Sequence, residues 1–273
     1  MYKEVSVLRA VARVEAPVPT VLHEGVGFQI QTLVDGVRLD QRFPLGSRVP
    51  GAIVDQLASS IDGLSQVPRS TIDLIPKPVR FFRTPYSSCR GFAEALTGWF
   101  SRVYTTSEAR VHEALETVGV PEDPFAGLIP SRMASRQLRL CHGDLSRTNC
   151  LVEDDDLKIL DWELALWGDP AWDVAAHLHR FQYPEDQEEE VCRRLARSSA
   201  CGDLSEFLTD VRFYRRVEVL RTTVVNLVRL ARARGDYPSA WLREDVERVA
   251  AMRPSHGIQI EDAVEEISRI LEI

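Results

Sequence analysis

Lysine is almost missing from this chain: only Lys3, Lys77 and Lys158 among its 33 basic residues are lysines. A GC-rich coding sequence, which favours arginine codons, accounts for the bias, but it leaves few lysines for any role that requires one. CxxC spacing is also missing. The five cysteines (Cys89, Cys141, Cys150, Cys192, Cys201) are an odd number, which argues against a disulfide framework and points to a reducing cytoplasm. No apolar run approaches the ~18 residues of a membrane span. The opening MYKEVSVLRAVARVEAP is too charged for a signal peptide, so neither export nor membrane insertion is expected. Internal repeats and low-complexity segments are absent. So is a basic excess: the net charge of −8 argues against a general nucleic-acid binder and favours cationic substrates only weakly.

What is present is ordinary globular material. The 273 residues are 44% hydrophobic and 27% charged, enough for a sizeable core, at a length where one core tends to split in two. Residues 3–14 read as a helix, with Val5, Leu8 and Val11 or Ala12 at helical spacing and Pro17 and Pro19 ending it. A strand pair follows, Thr20–Leu22 and Phe28–Val34, around a Gly25–Gly27 turn. Asp35-Gly36 makes a further turn, and a helix over Ala52–Leu64 leads to Pro68. The stretch 65–90, with Pro68, Pro76, Pro78 and Pro85, reads as an extended connection. Helices are expected at 91–104 and 107–118, then a short buried strand, LRLC, running into a loop. CLVEDDDLKILDWE reads as strand, acidic turn, strand, with Glu153–Asp156 as a solvated turn. Beyond Trp172 the pattern is helical: Val211–Ala233, with apolar residues at 213, 217, 220, 224, 227 and 231, then Leu242–Ala251 and Ile260–Leu271. Glu188–Glu190 reads as a solvated helix face. The whole describes a small mixed front followed by a mostly helical remainder.

The chemistry is concentrated in HGDLSRTN (His142–Asn149) and ILDWE (Ile159–Glu163). Asp144 stands in a loop after an apolar strand, where a carboxylate can accept or orient a hydroxyl proton. Asn149 opens a hairpin and Asp161 closes it. A hairpin returns the chain to near its start, so the two can converge on one point. An amide oxygen and a carboxylate, completed by waters and phosphate oxygens, form the sparse shell that magnesium prefers. A carboxylate beside such a metal meets the needs of phosphoryl transfer.

HGDLSRTN-x-LV, then DWE, then GDPAWDVA resembles the aminoglycoside phosphotransferase and choline kinase superfamily, relatives of the protein kinases. The resemblance implies an α+β, protein-kinase-like two-lobed fold with a truncated N-lobe and a mainly helical C-lobe. It divides the chain into residues 1–64 (reduced N-lobe, hinge and linking helix) and 65–273 (C-lobe), with the catalytic loop at 142–149 and the metal-binding hairpin at 149–163. It implies that Asp144 is the catalytic base or hydroxyl-orienting residue and that Asn149 and Asp161 bind Mg2+. His142 and Asp173 would support the loop. VPTVL, FQIQTLVDGVRL and LASSIDGL resemble the family's later N-lobe strands, hinge and linking helix. His177 and His179, on a helix, read as packed or surface residues rather than ligands.

The departure from the family lies at the front. Kinase-like folds begin with two strands joined by a glycine-rich loop and a third strand carrying a phosphate-pairing lysine. Here the helix with the lysine-pairing glutamate comes at once, with Glu4 as its candidate. No lysine stands where the strand lysine should, and Gly25 and Gly27 belong to a hairpin turn. Nucleotide-binding residues are therefore unassigned. Three readings stand open. One is a phosphotransferase moving the γ-phosphoryl group of ATP or GTP to a hydroxyl of a small molecule or natural product, with or without a partner chain completing the nucleotide site. Another is a Ser/Thr kinase subunit acting on a precursor peptide beside a lyase. The third is a non-catalytic scaffold or binder.

Overall fold

A computed structural model describes residues 4–14, 16–72, 86–120, 123–197, 201–233, 239–252 and 258–271. It is a helix-rich α+β structure with three small antiparallel sheets among the described residues. The chain divides into two compact units. One comprises residues 1–81, 86–92 and 132–215, and the other 82–85, 93–131 and 216–273.

The first unit begins with α1 (Glu4–Ala12), which buries Val5, Val7, Leu8 and Val11. The expected strand pair is present as the hairpin β1 (Val21–Gly25) and β2 (Phe28–Gln31), its first strand running on to Gly25 and its second ending before the expected Val34. Next come β3 (Val37–Arg38), α2 (Leu39–Arg42) and α3 (Gly51–Leu64). The turn before β3 needs its glycine. Gly36 has φ +126° and packs so closely that a Cβ there would lie 2.9 Å from the Val152 carbonyl oxygen. Of the expected connection at 65–90, residues 73–85 lie outside the described residues. Its flanks are a 3-10 turn at Arg69–Thr71 and the start of α4 (Cys89–Thr105).

After α5 (Ala109–Thr117), the chain enters β4 (Arg139–Cys141), a 3-10 turn at Arg147–Asn149, and the hairpin β5 (Cys150–Glu153) and β6 (Asp156–Ile159). The acidic run is that hairpin's turn. Asp154 and Asp155 both take left-handed backbone (φ 45° and 70°), the two-residue geometry that matches strand twist and that aspartate tolerates. β3, β5 and β6 form one sheet. The strand β7 (Leu166–Gly168) then returns to β4, pairing Cys141 with Leu166. That pairing closes residues 142–165 into a single excursion with both ends pinned.

Helix α6 (Pro170–Phe181) follows, capped by Asp169, whose side chain accepts the Ala171 N–H, with Pro170 in the first turn. It is buried along nearly its whole length. Then come α7 (Glu185–Leu195) and α8 (Leu204–Ala233). α8 begins seven residues before the expected 211, because Asp203 caps it through the Glu206 N–H at 2.9 Å. Its buried stripe takes Phe207, Val211 and Tyr214 in place of Phe213, and continues through Val217, Leu220, Val224, Leu227 and Ala231.

The second unit holds α4 beyond Phe92, α5, α8 beyond Arg215, α9 (Ser239–Met252) and α10 (Ile260–Leu271). Ala263, Ile267 and Leu271 recur every four residues as the buried edge of α10.

Candidate active site

The buried strand β4 delivers His142 and Gly143 into a tight turn. Gly143 has φ +82°, and a Cβ there would lie 2.6 Å from the Leu164 carbonyl oxygen, so only glycine fits. Asp173, buried in the first turn of α6, accepts one N–H on each carboxylate oxygen: His142 at 2.9 Å and Gly143 at 3.0 Å. His142 is itself buried, and desolvation pulls its pKa down to about 4. The neutral ring suits its contacts. Nδ1 accepts the Asp144 N–H at 3.2 Å, which leaves Nε2–H to donate to the Leu160 carbonyl at 3.0 Å. The ring also packs against buried Trp162, with centroids 4.4 Å apart.

Asp144 emerges from this turn with its side chain 31% exposed. Its Oδ1 meets Arg180 Nε at 2.9 Å. The Asn149 amide nitrogen donates to the Asp144 backbone oxygen at 2.8 Å and to Oδ2 at 3.2 Å. That use of Nδ2 leaves Asn149 Oδ1 as its acceptor atom. Leu160 N donates to Asn149 O at 2.8 Å, and Cys150 pairs with Ile159, so the hairpin sets Asp161 beside Asn149. Asp161 is exposed, in left-handed backbone at φ 60°. Partial desolvation raises its pKa, and the negative charge of Asp144 adds to the rise. The structure thus brings Asp144, Asn149 and Asp161 together, with His142 and Asp173 directly behind them.

These donors are all hard oxygens. Among the described residues no group of three or more His, Cys, Asp or Glu side chains forms a metal cage. The set fits magnesium, which keeps several waters and shares its shell with phosphate oxygens.

Glu4 reaches the same place from α1. It accepts the Trp162 N–H at 3.3 Å and is bonded by Gln29 of β2, so it steadies the residue after Asp161. Lys158 lies on β6, while Lys3 and Lys77 lie outside the described residues. His177 is fully buried on α6 with Nε2 3.0 Å from the Tyr183 hydroxyl, and His179 is buried as well.

Three arginines behind the site were not foreseen. Arg147, inside the loop, is 1% exposed and spends its guanidinium on carbonyls. It donates to Phe181 at 2.7 Å, Phe43 and Pro44 at 2.6 Å each and Ser47 at 2.9 Å. Arg136 grips Asp169 through Nε at 2.7 Å and Nη2 at 3.0 Å, and reaches Asp210 at 2.6 Å. The Tyr214 hydroxyl adds a bond to Asp169 at 3.1 Å. Arg180 is the third. A signal for it existed, because 173, 177 and 180 fall on one helix face.

The sequence matches the model of the phosphotransferase enzyme family over residues 1–208, and the chain belongs to that family. No curated protein matches it. Solved structures with the same fold include a choline/ethanolamine kinase family protein from Mesorhizobium loti, at 19% identity and TM-score 0.61, covering 96% of this chain and 85% of that one. The GDP complex of aminoglycoside 2'-phosphotransferase-IIIa is similar at 18% identity and TM-score 0.55, covering 93% and 81%. Macrolide 2'-phosphotransferase MphH from Brachybacterium faecium is similar at 20% identity and TM-score 0.51, covering 92% and 80%. The kinase-like α+β fold expected from the motifs is the fold found.

Proposed function

We propose that this chain transfers the γ-phosphoryl group of ATP or GTP to a hydroxyl of a small molecule or natural product, with Mg2+ as its metal. The observation that carries this reading is the convergence of Asp144, Asn149 and Asp161 on one exposed point, backed by a buried neutral histidine. In this reading Asp144 orients the acceptor hydroxyl and receives its proton, while Asn149 and Asp161 hold the metal. Bound magnesium would neutralise charge developing on the transferred group. His142 and Asp173 fix the loop, so the protein contributes mainly position and preorganised charge. In this reading residues 1–64 serve as N-lobe, hinge and linking helix, and 65–273 as the C-lobe.

Family membership and a structural neighbour solved with GDP support a nucleotide donor. For the acceptor, neighbours named as choline/ethanolamine, aminoglycoside and macrolide kinases support a small-molecule hydroxyl. A partner chain that completes the nucleotide side has its own support. The β1–β2 hairpin exposes four large apolar side chains, Leu22 (62%), Val26 (102%), Phe28 (57%) and Ile30 (49%), and exposed apolar side chains that gather into a patch mark interaction surfaces. No strand among the described residues pairs with the outer edges of that hairpin.

The test is a radiolabelled γ-phosphoryl transfer assay with ATP and GTP against choline, ethanolamine, kanamycin and a macrolide. Asp144→Ala should abolish turnover while metal–nucleotide binding persists. Equal turnover by the variant and the wild type would sink the assignment.

A further inference from the structure

Helix α6 presents three side chains to the catalytic loop, at positions 173, 177 and 180. Spacings of four and three put them on one face over two turns, about 10 Å of axis. Asp173 binds the His142 and Gly143 amides. His177 lies against the Leu145 backbone. Arg180, in the last turn, reaches the Asp144 carboxylate at 2.9 Å. Just beyond, the Phe181 carbonyl receives Arg147 at 2.7 Å. The helix therefore holds the loop at both ends, and only its contact at 180 touches the reacting carboxylate.

We propose that Arg180 is a positioning residue for phosphoryl transfer, fixing the rotation of the Asp144 carboxylate toward the incoming hydroxyl. The proposal rests on the phosphotransferase reading above and adds to it a residue that no part of the motif contains. An aspartate's terminal torsion is broad and roughly two-fold, so an exposed carboxylate needs external restraint. Here Arg180 Nε engages Oδ1 and the Asn149 amide engages Oδ2. Each oxygen carries two lone pairs and so keeps one for a substrate hydroxyl. Other groups near Asp144 cannot supply the restraint as a cation. His142 is buried and neutral, and Asp161 carries like charge. The Arg180 side chain is only 14% exposed, so the pair is not one of the solvated surface pairs that contribute little. A planar, permanently charged guanidinium sets direction as an ammonium cannot.

The test uses magnesium-dependent hydrolysis of ATP and GTP by the full chain, with water as acceptor, in Arg180→Gln, Arg180→Lys and Arg180→Ala. Arg180→Gln should lower kcat by about 100-fold, the scale of a displaced catalytic group, with nucleotide KM changed less than about twofold. Arg180→Lys should recover only part of the loss, and added guanidinium ion should raise kcat of Arg180→Ala. A kcat for Arg180→Gln near that of the wild type, or a loss carried wholly by KM, would overturn the proposal. Thermal unfolding of Arg180→Gln, Asp144→Asn and the double variant reads the pair without turnover. Non-additive shifts in Tm are expected, and strictly additive shifts would overturn the proposal. A wild type that neither binds nor hydrolyses nucleotide would instead sink the reading of this chain as a phosphotransferase that acts by itself, while the unfolding cycle would still report on Arg180.

Discussion

His142 and His177 are both buried as neutral rings, pulled by desolvation to about 4 and about 3 respectively. In the unfolded chain a histidine titrates near pH ~6.5. As pH falls from there toward ~4, the unfolded chain therefore takes up protons that the folded one refuses, and stability falls. Each such histidine contributes a slope of about 1.4 kcal/mol per pH unit across that window. Asp161 and Asp210, whose carboxyls are raised by burial, work in the opposite sense as the pH drops. The clean quantity is therefore a difference between variants. His177→Asn should flatten the acid slope of unfolding free energy, measured by urea denaturation at several pH values, by about one proton's worth. Parallel slopes in variant and wild type would show that His177 titrates normally in the fold. At the same scale, Arg136 bonds two nearly fully buried carboxylates, Asp169 and Asp210. Arg136→Met leaves both without it and should cost roughly 3–5 kcal/mol, read as a lowered urea midpoint. Tyr214→Phe, which removes one neutral donor from Asp169, should cost about 1 kcal/mol. An Arg136 variant no less stable than Tyr214→Phe would refute the burial argument.

Among elements, the hairpin and the loop before it were legible because their residues are defined by short-range spacing. Asp144, Asn149 and Asp161 sit at fixed distances along a strand, a turn and a strand, and Asp154-Asp155 supplies the turn. β7 was not read from the sequence. A three-residue strand shows no alternation, and its pairing with β4 is set by the length of the excursion between them. The early start of α8 was readable in principle, since Asp203 three residues before Glu206 is a capping pattern. Arg136 and Arg147 were not. Their partners lie 33, 74 and 104 residues away, and no local pattern separates a carbonyl-capping arginine from a solvated one. Gly143 gives the element-scale prediction. Gly143→Ala places a methyl against the Leu164 carbonyl in a left-handed turn, costing on the order of 1–3 kcal/mol and displacing Asp144. Reduced Tm and reduced turnover together are expected, whereas an unchanged Tm would mean that the turn tolerates a side chain.

At the scale of the molecule, the proposed metal centre lies in a chain that also exposes large apolar side chains along the β1–β2 hairpin. No helix among the described residues is long and apolar enough to cross a membrane. The 30-residue α8 carries charges along its length. If the hairpin's outer face is a surface rather than core, Val26→Ser should leave unfolding free energy within about 0.5 kcal/mol of the wild type. A larger loss, measured by urea denaturation, would place Val26 inside a packed interior. The central claim, that Asn149 and Asp161 form a magnesium–nucleotide centre serving Asp144, is tested most directly by calorimetry. Mg-ATP and Mg-GTP are titrated into the wild-type chain and into Asp161→Ala. The account predicts micromolar binding of at least one nucleotide, dependent on magnesium and lost in the variant. Binding that survives Asp161→Ala undiminished, or that ignores the metal, would contradict it.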